Sequence, residues 1–213
     1  MLISFEGIDG SGKSTQVALL KQRLEAQGYV VDLVREPGGT PLSERIRTLL
    51  LDPALVVDPM TELLLFSASR AQLVREHLQP SLAKGNIVIC DRFFDSTTVY
   101  QGAGRGLDRD GWLDGFNRRV TGGLVPSRTY LIDMDPDEAL RRRAARGGKA
   151  ARDRMEQADP EFYARIVNAY RALARAEPAR WCVIDGRRSI EEIAQHVWSD
   201  LNMPANHSRN TPR

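Results

Sequence analysis

Short apolar runs alternate along this chain with longer stretches in which apolar residues recur at helical spacing. The runs at residues 2–6, 29–34, 86–90, 128–132 and 181–184 are rich in β-branched, aliphatic and aromatic side chains and predict five strands. Between them, residues 16–27 predict a helix that Gly28 stops in a left-handed conformation. Residues 42–51 predict a shorter helix broken by Asp52-Pro53, and residues 59–82 a longer one that ends near Gly85. Asp135-Pro136-Asp137-Glu138 supplies an N-cap, a proline at the first helical position and an acidic first turn. Asp159-Pro160 repeats that signal, and Ser189 with Glu192 three residues on spells a capping box for the last helix. Strand and helix alternate from end to end, which predicts an α/β fold with a mainly parallel sheet. No repeat or long linker divides the chain, so residues 1–203 are expected to form one domain and the polar residues 204–213 a disordered tail.

In such sheets ligands sit beyond the carboxyl ends of the strands, so the residues that come after each strand are the functional candidates. The first strand leads into Gly7-Ile8-Asp9-Gly10-Ser11-Gly12-Lys13-Ser14-Thr15, a G-x-x-x-x-G-K-S pattern placed between a strand and a helix. That is the phosphate-binding P-loop in the context that gives the motif meaning. Its glycines let the backbone curl so that successive N–H groups face an anion, and the new helix aims its positive end at the same point. A flexible glycine turn is the bland alternative, but a chance match is expected in fewer than ~5% of chains of this length. The loop from Gly7 to Thr15 is therefore assigned to a nucleoside triphosphate. Lys13, expected at an exposed helix start, would reach the β/γ-phosphates, and the Ser14 hydroxyl would hold Mg²⁺.

Composition narrows the classes. With 213 residues, 42% of them hydrophobic and 27% charged, the chain has the make-up of an ordinary globular domain with a proper core. A formal net charge of +2 gives no global field for nucleic acid, and no nucleic-acid partner is expected. Cys90 and Cys182 lie in apolar runs and read as reduced core thiols, and the three scattered histidines have no zinc spacing. No signal region opens the chain and no apolar run approaches ~18 residues, so a cytoplasmic protein without a membrane partner is expected.

The other strand ends carry further chemistry. Asp91 closes the third strand where many P-loop proteins place the magnesium-organising acid, unless it is a surface acid that merely ends a strand. Its successor, Arg92, is a cation where an ATPase motor commonly has a second carboxylate, and it suits a second phosphate group better than an activated water. No Asn-Lys-x-Asp segment is present to read guanine. Phe66 and Arg70, four apart on one predicted helix, offer a ring to stack on a base beside a donor for a carbonyl, although Phe at such spacing is usually core and Arg usually solvated. Residues 95–102 add hydroxyls, an amide and a ring, after which Gly102, Gly104 and Gly106 loosen the chain. Arg141, Arg142, Arg143, Arg146, Lys149, Arg152 and Arg154 form a basic run interrupted by Gly147-Gly148. A solvated face is the default for such a run. After a P-loop, it reads instead as a mobile lid at about 143–155 that carries cations over the triphosphate.

Taken in order, Phe5-Glu6-Gly7 with the P-loop, Arg35-Glu36-Pro37-Gly38-Gly39-Thr40, Phe66-x-x-x-Arg70, Asp91-Arg92-Phe93, Tyr100-Gln101-Gly102 and the Arg-rich run are similar to the bacterial thymidylate kinase family, from residue 2 to about residue 200. The resemblance implies a P-loop NTPase three-layer fold, with a five-stranded parallel sheet flanked by helices. It implies transfer of the γ-phosphoryl of ATP to dTMP, giving dTDP and ADP for dTTP synthesis, with Mg²⁺ and in a homodimer. By position, Phe66 would stack on thymine while Arg70 and Gln101 read its polar edge. Tyr100 would crowd the 2′ position, Asp9 would lie near the 3′-hydroxyl, and Arg92 would hold the acceptor phosphate. Glu36, Pro37 and Thr97 complete the implied dTMP site; Asp9, Lys13, Arg92 and Arg146 are the implied catalytic set. Some relatives carry an arginine in the P-loop where this chain has Gly10, so Arg146 inherits the catalytic-arginine role, also facing ATP with Arg154, and Arg143 and Arg154 are its substitutes.

The implied chemistry is electrostatic. A monophosphate with a second pKa near ~6 is already largely anionic at neutral pH and needs no general base. Two readings compete: a deoxynucleoside kinase, whose neutral hydroxyl acceptor would need a carboxylate such as Glu36 as base, and an NTP-dependent switch or nucleic-acid-associated ATPase that uses the basic run as its contact.

Overall fold

The computed structural model describes residues 1–145, 154–155 and 159–203. In chain order the elements are β1 (Leu2–Glu6), α1 (Lys13–Ala26), β2 (Val31–Arg35), α2 (Pro41–Leu51), α3 (Pro59–Leu73), α4 (Gln79–Ala83), β3 (Ile87–Asp91), α5 (Phe94–Thr97), α6 (Leu113–Thr121), β4 (Arg128–Asp133), α7 (Pro136–Ala145), α8 (Pro160–Ala176), β5 (Trp181–Asp185) and α9 (Ile190–Leu201). π-Helical turns join α3 to α4 (Val74–Leu78) and extend α5 (Thr98–Gly104). The strands pair in parallel in the order β2-β3-β1-β4-β5. All five stand where the apolar runs predict them. Expected residues 29 and 30 stay outside β2, because the Tyr29 N–H closes the end of α1 on Leu24 O at 3.1 Å.

β1 is central and buried along its whole length. Ile3 and Phe5 face the layer of α1 and α9, where Val17, Leu20, Leu24, Ile193 and Val197 cover them. Alternation then sends Leu2, Ser4 and Glu6 to the opposite face, where Leu2 packs with Leu73, Leu78 and Val88. Further along that face, α8 supplies Phe162, Ile166 and Tyr170 against Leu131 and Trp181. Two helical layers thus cover one sheet. The helix starts obey their capping signals: Asp159 accepts from Phe162 N at 2.6 Å, and Ser189 and Glu192 make the reciprocal capping box. Cys90 and Cys182 are buried free thiols. Among the described residues, no helix is long and apolar enough to cross a membrane.

Beyond the later start of β2, the fold departs from the predicted elements in two places. The segment after β3 does not loosen at its glycines but stays helical as far as Gly104. A Cβ on Gly104 would lie 2.6 Å from Phe162 Cε2, so this glycine is where α8 closes onto the backbone. Helix α6 has no counterpart among the predicted helices. Inside this packing the Arg180 guanidinium holds Asp95 through both oxygens, at 2.7 and 2.8 Å, and fixes α5 to the start of β5.

Candidate functional site

A cleft of about 420 Å³ opens beyond the carboxyl ends of β1, β2 and β3. Asp9, Gly10, Lys13 and Ser14 reach it from the loop after β1, Glu36 and Pro37 from beyond β2, and Asp91 and Arg92 from the end of β3. Phe66 and Arg70 enter from α3, with Thr97, Tyr100 and Gln101 opposite. Gly7, Ile8, Ser11, Gly12 and Thr15 do not line its wall. They shape the loop behind it: Ile8 O accepts from Ser11 N at 3.2 Å, and Gly12, at φ 103, starts α1. Arg146 lies outside the described residues, as do residues 147–153 of the expected lid.

Lys13 is not exposed as the sequence suggested. It is 5% accessible, because the loop wraps its side chain and Ile8 O accepts from Nζ at 3.0 Å. Burial, and Arg92 next to it, lower the ammonium pKa to about 8. Beside it the Ser14 hydroxyl donates to Asp91 Oδ2 at 2.7 Å, so a hydroxyl and a carboxylate converge at neighbouring strand ends. That pair fits a hard cation which completes its shell with phosphate oxygens and water. No cluster of three or more His, Cys, Asp or Glu side chains that could hold a metal occurs among the described residues.

Through Ala139 and Arg143, helix α7 packs on the loop at Gly10. A Cβ there would stand 2.6 Å from Ala139 O and 2.9 Å from Arg143 Cγ, at a backbone φ of 90°. Arg143 lines the cleft, and its aliphatic stem occupies the flank that a side chain at position 10 would need, while its guanidinium lies over the Tyr163 ring at 5.6 Å. Arg154 corrects its assignment to the triphosphate. Its Nη1 donates to Glu62 at 2.6 Å and its Nε to Leu50 O at 2.9 Å, so its donors are drawn to α2 and α3, while its neighbour Met155 reaches the cleft wall.

Arg92 sits opposite Lys13 across Asp9. Its Nη2 donates to Asp9 Oδ1 at 2.8 Å, while Lys13 Nζ lies 4.0 Å from the same oxygen. Partial burial works to raise the Asp9 pKa, yet Arg92 and Lys13 hold the carboxyl well below the usual range. Arg92 has a left-handed backbone, φ 74, and its fork also reaches the hydroxyls of Ser96, Tyr100 and Tyr170. Beneath it, fully buried Glu6 accepts from Phe93 N at 2.8 Å and from Ser96 and Tyr170 at 2.7 Å each. Burial, with Asp95 nearby, pushes the Glu6 pKa up to about 7. Sequence reasoning missed this support, because nothing in the spacing links residues 6, 96 and 170.

On the far side lies the half-buried Phe66 ring, with Arg70 behind. Arg70 is 2% exposed and is no solvated helix arginine. Its Nε donates to Glu36 at 2.6 Å, Nη1 to Thr97 at 2.7 Å and Nη2 to Phe93 O at 3.3 Å. Burial raises the Glu36 pKa against the pull of Arg70. Gln101 donates through Nε2 to Glu62 at 2.8 Å. Glu62 is wholly inaccessible and also receives Arg105 and Arg154. Burial alone would raise its pKa, but the bonds from Arg105, Gln101 and Arg154 hold it below the ordinary value. Arg35, Arg47, Leu51 and Ser96 also line the cleft and went unassigned from the sequence; basic residues on a short helix such as α2 give no signal apart from solvation.

Comparison with known proteins agrees with this architecture. The thymidylate kinase family model matches residues 5–197. The thymidylate kinase of Deinococcus radiodurans is 49% identical over 202 residues, covering 95% of this chain and 96% of the relative. That of Chlorobium chlorochromatii is 47% identical over 209 residues, covering 94% of each. A crystal structure of thymidylate kinase from Ehrlichia chaffeensis superposes with a TM-score of 0.77 at 38% identity, over 95% of this chain and 98% of the other.

The close approach at Gly10 makes a test of the loop. Gly10→Ala forces a Cβ against a backbone carbonyl in a strained conformation, which costs on the order of 1–3 kcal/mol. Affinity for ATP should fall about 5- to 150-fold in isothermal titration; wild-type affinity in the variant would contradict the packing of α7 on the loop.

Proposed function

The chain belongs to the thymidylate kinase family, and we infer that it transfers the γ-phosphoryl group of ATP to dTMP, giving ADP and dTDP for dTTP synthesis. The observation that carries this reading is a second cation, Arg92, held 2.8 Å from Asp9 on the opposite side from P-loop Lys13, at the edge of a pocket with a ring, a guanidinium and a carboxamide. Two polyanions need such a pair of cations in order to meet.

The loop and the start of α1 hold the triphosphate of ATP, with Lys13 on its outer phosphates. Ser14 and Asp91 would hold Mg²⁺, which supplies charge neutralisation on the phosphates when bound. Arg92, aimed by Asp9 and the three hydroxyls around it, holds the acceptor phosphate in line with the γ-phosphoryl group. The acceptor oxygen is already anionic near neutral pH, so no residue takes a proton from it. Glu36, the base that a neutral nucleoside hydroxyl would require, is instead ion-paired with Arg70. Arg143 beside Gly10, together with Arg146 three residues on, supplies positive charge to the transferring group, where an arginine contributes ~10³–10⁵ in rate in the related GTPase case. Phe66 stacks on the base, and Tyr100 closes the sugar side.

We also propose a homodimer through α2 and α3. Leu42, Leu49 and Leu64 on these two packed helices are each about half exposed, which is unusual for a helix pair with no partner. Leu64→Glu should convert a species of twice the chain mass into one of the chain mass in light scattering; a wild-type monomer would refute the interface.

A coupled ADP-release assay over a panel of nucleoside monophosphates tests the reaction. dTMP should give the highest kcat/KM, and a better purine acceptor would refute the assignment. Lys13→Ala should lower kcat at least ~10²-fold, as loss of a preorganised charge contact does. Its Tm should not fall, since burial and the neighbouring Arg92 disfavour the charged ammonium in the folded chain despite Asp9. Wild-type turnover in the folded variant would remove Lys13 from the reaction.

A further inference from the structure

Glu62 is a charged side chain of zero accessibility with no part in the phosphoryl transfer itself. It gathers Gln101 Nε2 at 2.8 Å, Arg105 Nη2 at 3.1 Å and Arg154 Nη1 at 2.6 Å. Burying a carboxylate with two guanidiniums is seldom the most stable filling for a core, and an apolar side chain of similar volume often serves as well. What Glu62 does that an apolar residue could not is fix which end of the Gln101 carboxamide faces the cleft.

We propose that Glu62 is a positioning residue for acceptor choice: by holding the Gln101 NH₂ group, it presents the Gln101 carbonyl to the base and so selects a pyrimidine that carries a proton on N3. The inference rests on the reading of the cleft as the dTMP site. An ionised carboxylate can only accept hydrogen bonds, so the NH₂ end of the amide must face it, however the two atoms are drawn. The two guanidiniums keep Glu62 ionised, in line with its lowered pKa. The opposite terminus, Oε1, is then the end left to the cleft that Gln101 lines. A thymine or uracil ring offers N3–H, a donor, to that oxygen. Cytosine offers a lone pair at N3, and the two acceptors repel. Arg70 is less free to decide the matter, since Glu36, Thr97 and Phe93 O already engage its fork.

The test compares kcat/KM for dTMP and dCMP in the full-length protein. In Glu62→Gln the new amide can donate as well as accept, so Gln101 is released to turn over. The dTMP:dCMP ratio should fall at least about tenfold, the size expected for one mispaired buried hydrogen bond, with the loss carried by KM for dTMP rather than by kcat. In a Gln101→Ala background the same change should leave the ratio where Gln101→Ala alone put it. A folded Glu62→Gln that keeps the wild-type ratio within about twofold, or one whose effect persists without Gln101, overturns the proposal. Should Glu62→Gln fail to fold, the wild-type complex decides. Bound dTMP labelled with ¹⁵N at N3 should show a protected imino proton, while the Gln101 side-chain amide, identified by its loss in Gln101→Ala, exchanges equally slowly with and without dTMP. An imino proton in free exchange with water, or an amide protected only by the ligand, overturns it. If the wild-type chain does not phosphorylate dTMP at all, the kinase reading itself fails and takes this one with it; a chain that does so but shows no role for Glu62 leaves the kinase reading intact.

Discussion

A single carboxylate between two cations is the constraint around which the site is arranged. Lys13 and Arg92 repel each other, and that repulsion is part of what lowers the Lys13 pKa to about 8. Asp9 lies 2.8 Å from Arg92 and 4.0 Å from Lys13, and it makes their closeness tolerable. On the proposed reading, the phosphates of ATP and dTMP would take over part of that task. The arrangement is therefore built for a bound state with more negative charge than the protein itself supplies, which is the electrostatic form of complementarity to phosphoryl transfer.

Sheet topology brings these groups together. β1 runs between β3 and β4, with Phe5 in register with Asp91. The loop after β1 and the turn after β3 consequently leave the sheet side by side, and Arg92 N closes on Phe5 O at 3.0 Å. Adjacent strand ends thus place Ser14 on Asp91 and Arg92 on Asp9 without any contact between those residues along the chain. The left-handed conformation at Arg92 is part of the same device, since it turns the side chain back over the P-loop, and Glu6 secures the next peptide through Phe93 N.

Three buried carboxylates each order one part of the cleft. Glu6 sets the hydroxyls around Arg92, Glu36 holds Arg70, and Glu62 holds Gln101. Each is matched by donors on distant elements, so each ties helices to the sheet at the point where a substrate must be read. Buried polar networks of this kind are strong only when every member is satisfied. In the cleft that requirement is unmet at Glu36 Oε1, which is buried and has no hydrogen-bond partner.

Local physics made much of this legible in the sequence. Five apolar runs were enough to place the strands, because strands of a parallel sheet covered by helices are mostly apolar. Glycine spacing and the Lys-Ser pair located the loop, since only that pattern curls a backbone around an anion at a helix start. The family resemblance brought Asp9, Glu36, Phe66, Arg70, Arg92, Tyr100 and Gln101 to one cleft before any geometry was known. What the sequence left open depends on contacts between segments far apart in the chain. Lys13 read as exposed because helix starts usually are, yet the loop buries it. Arg154 read as a lid cation, but Glu62, 92 residues earlier, claims it. Arg143 was only a substitute until α7 was seen packed against Gly10. Glu6 entered only as part of the Phe5-Glu6-Gly7 motif and Glu62 not at all, since a lone Glu in a strand or helix has no periodic signature that shows what it will hold. Spacing records what neighbours along the chain do, and these partners become neighbours only when the sheet and its covering helices have closed.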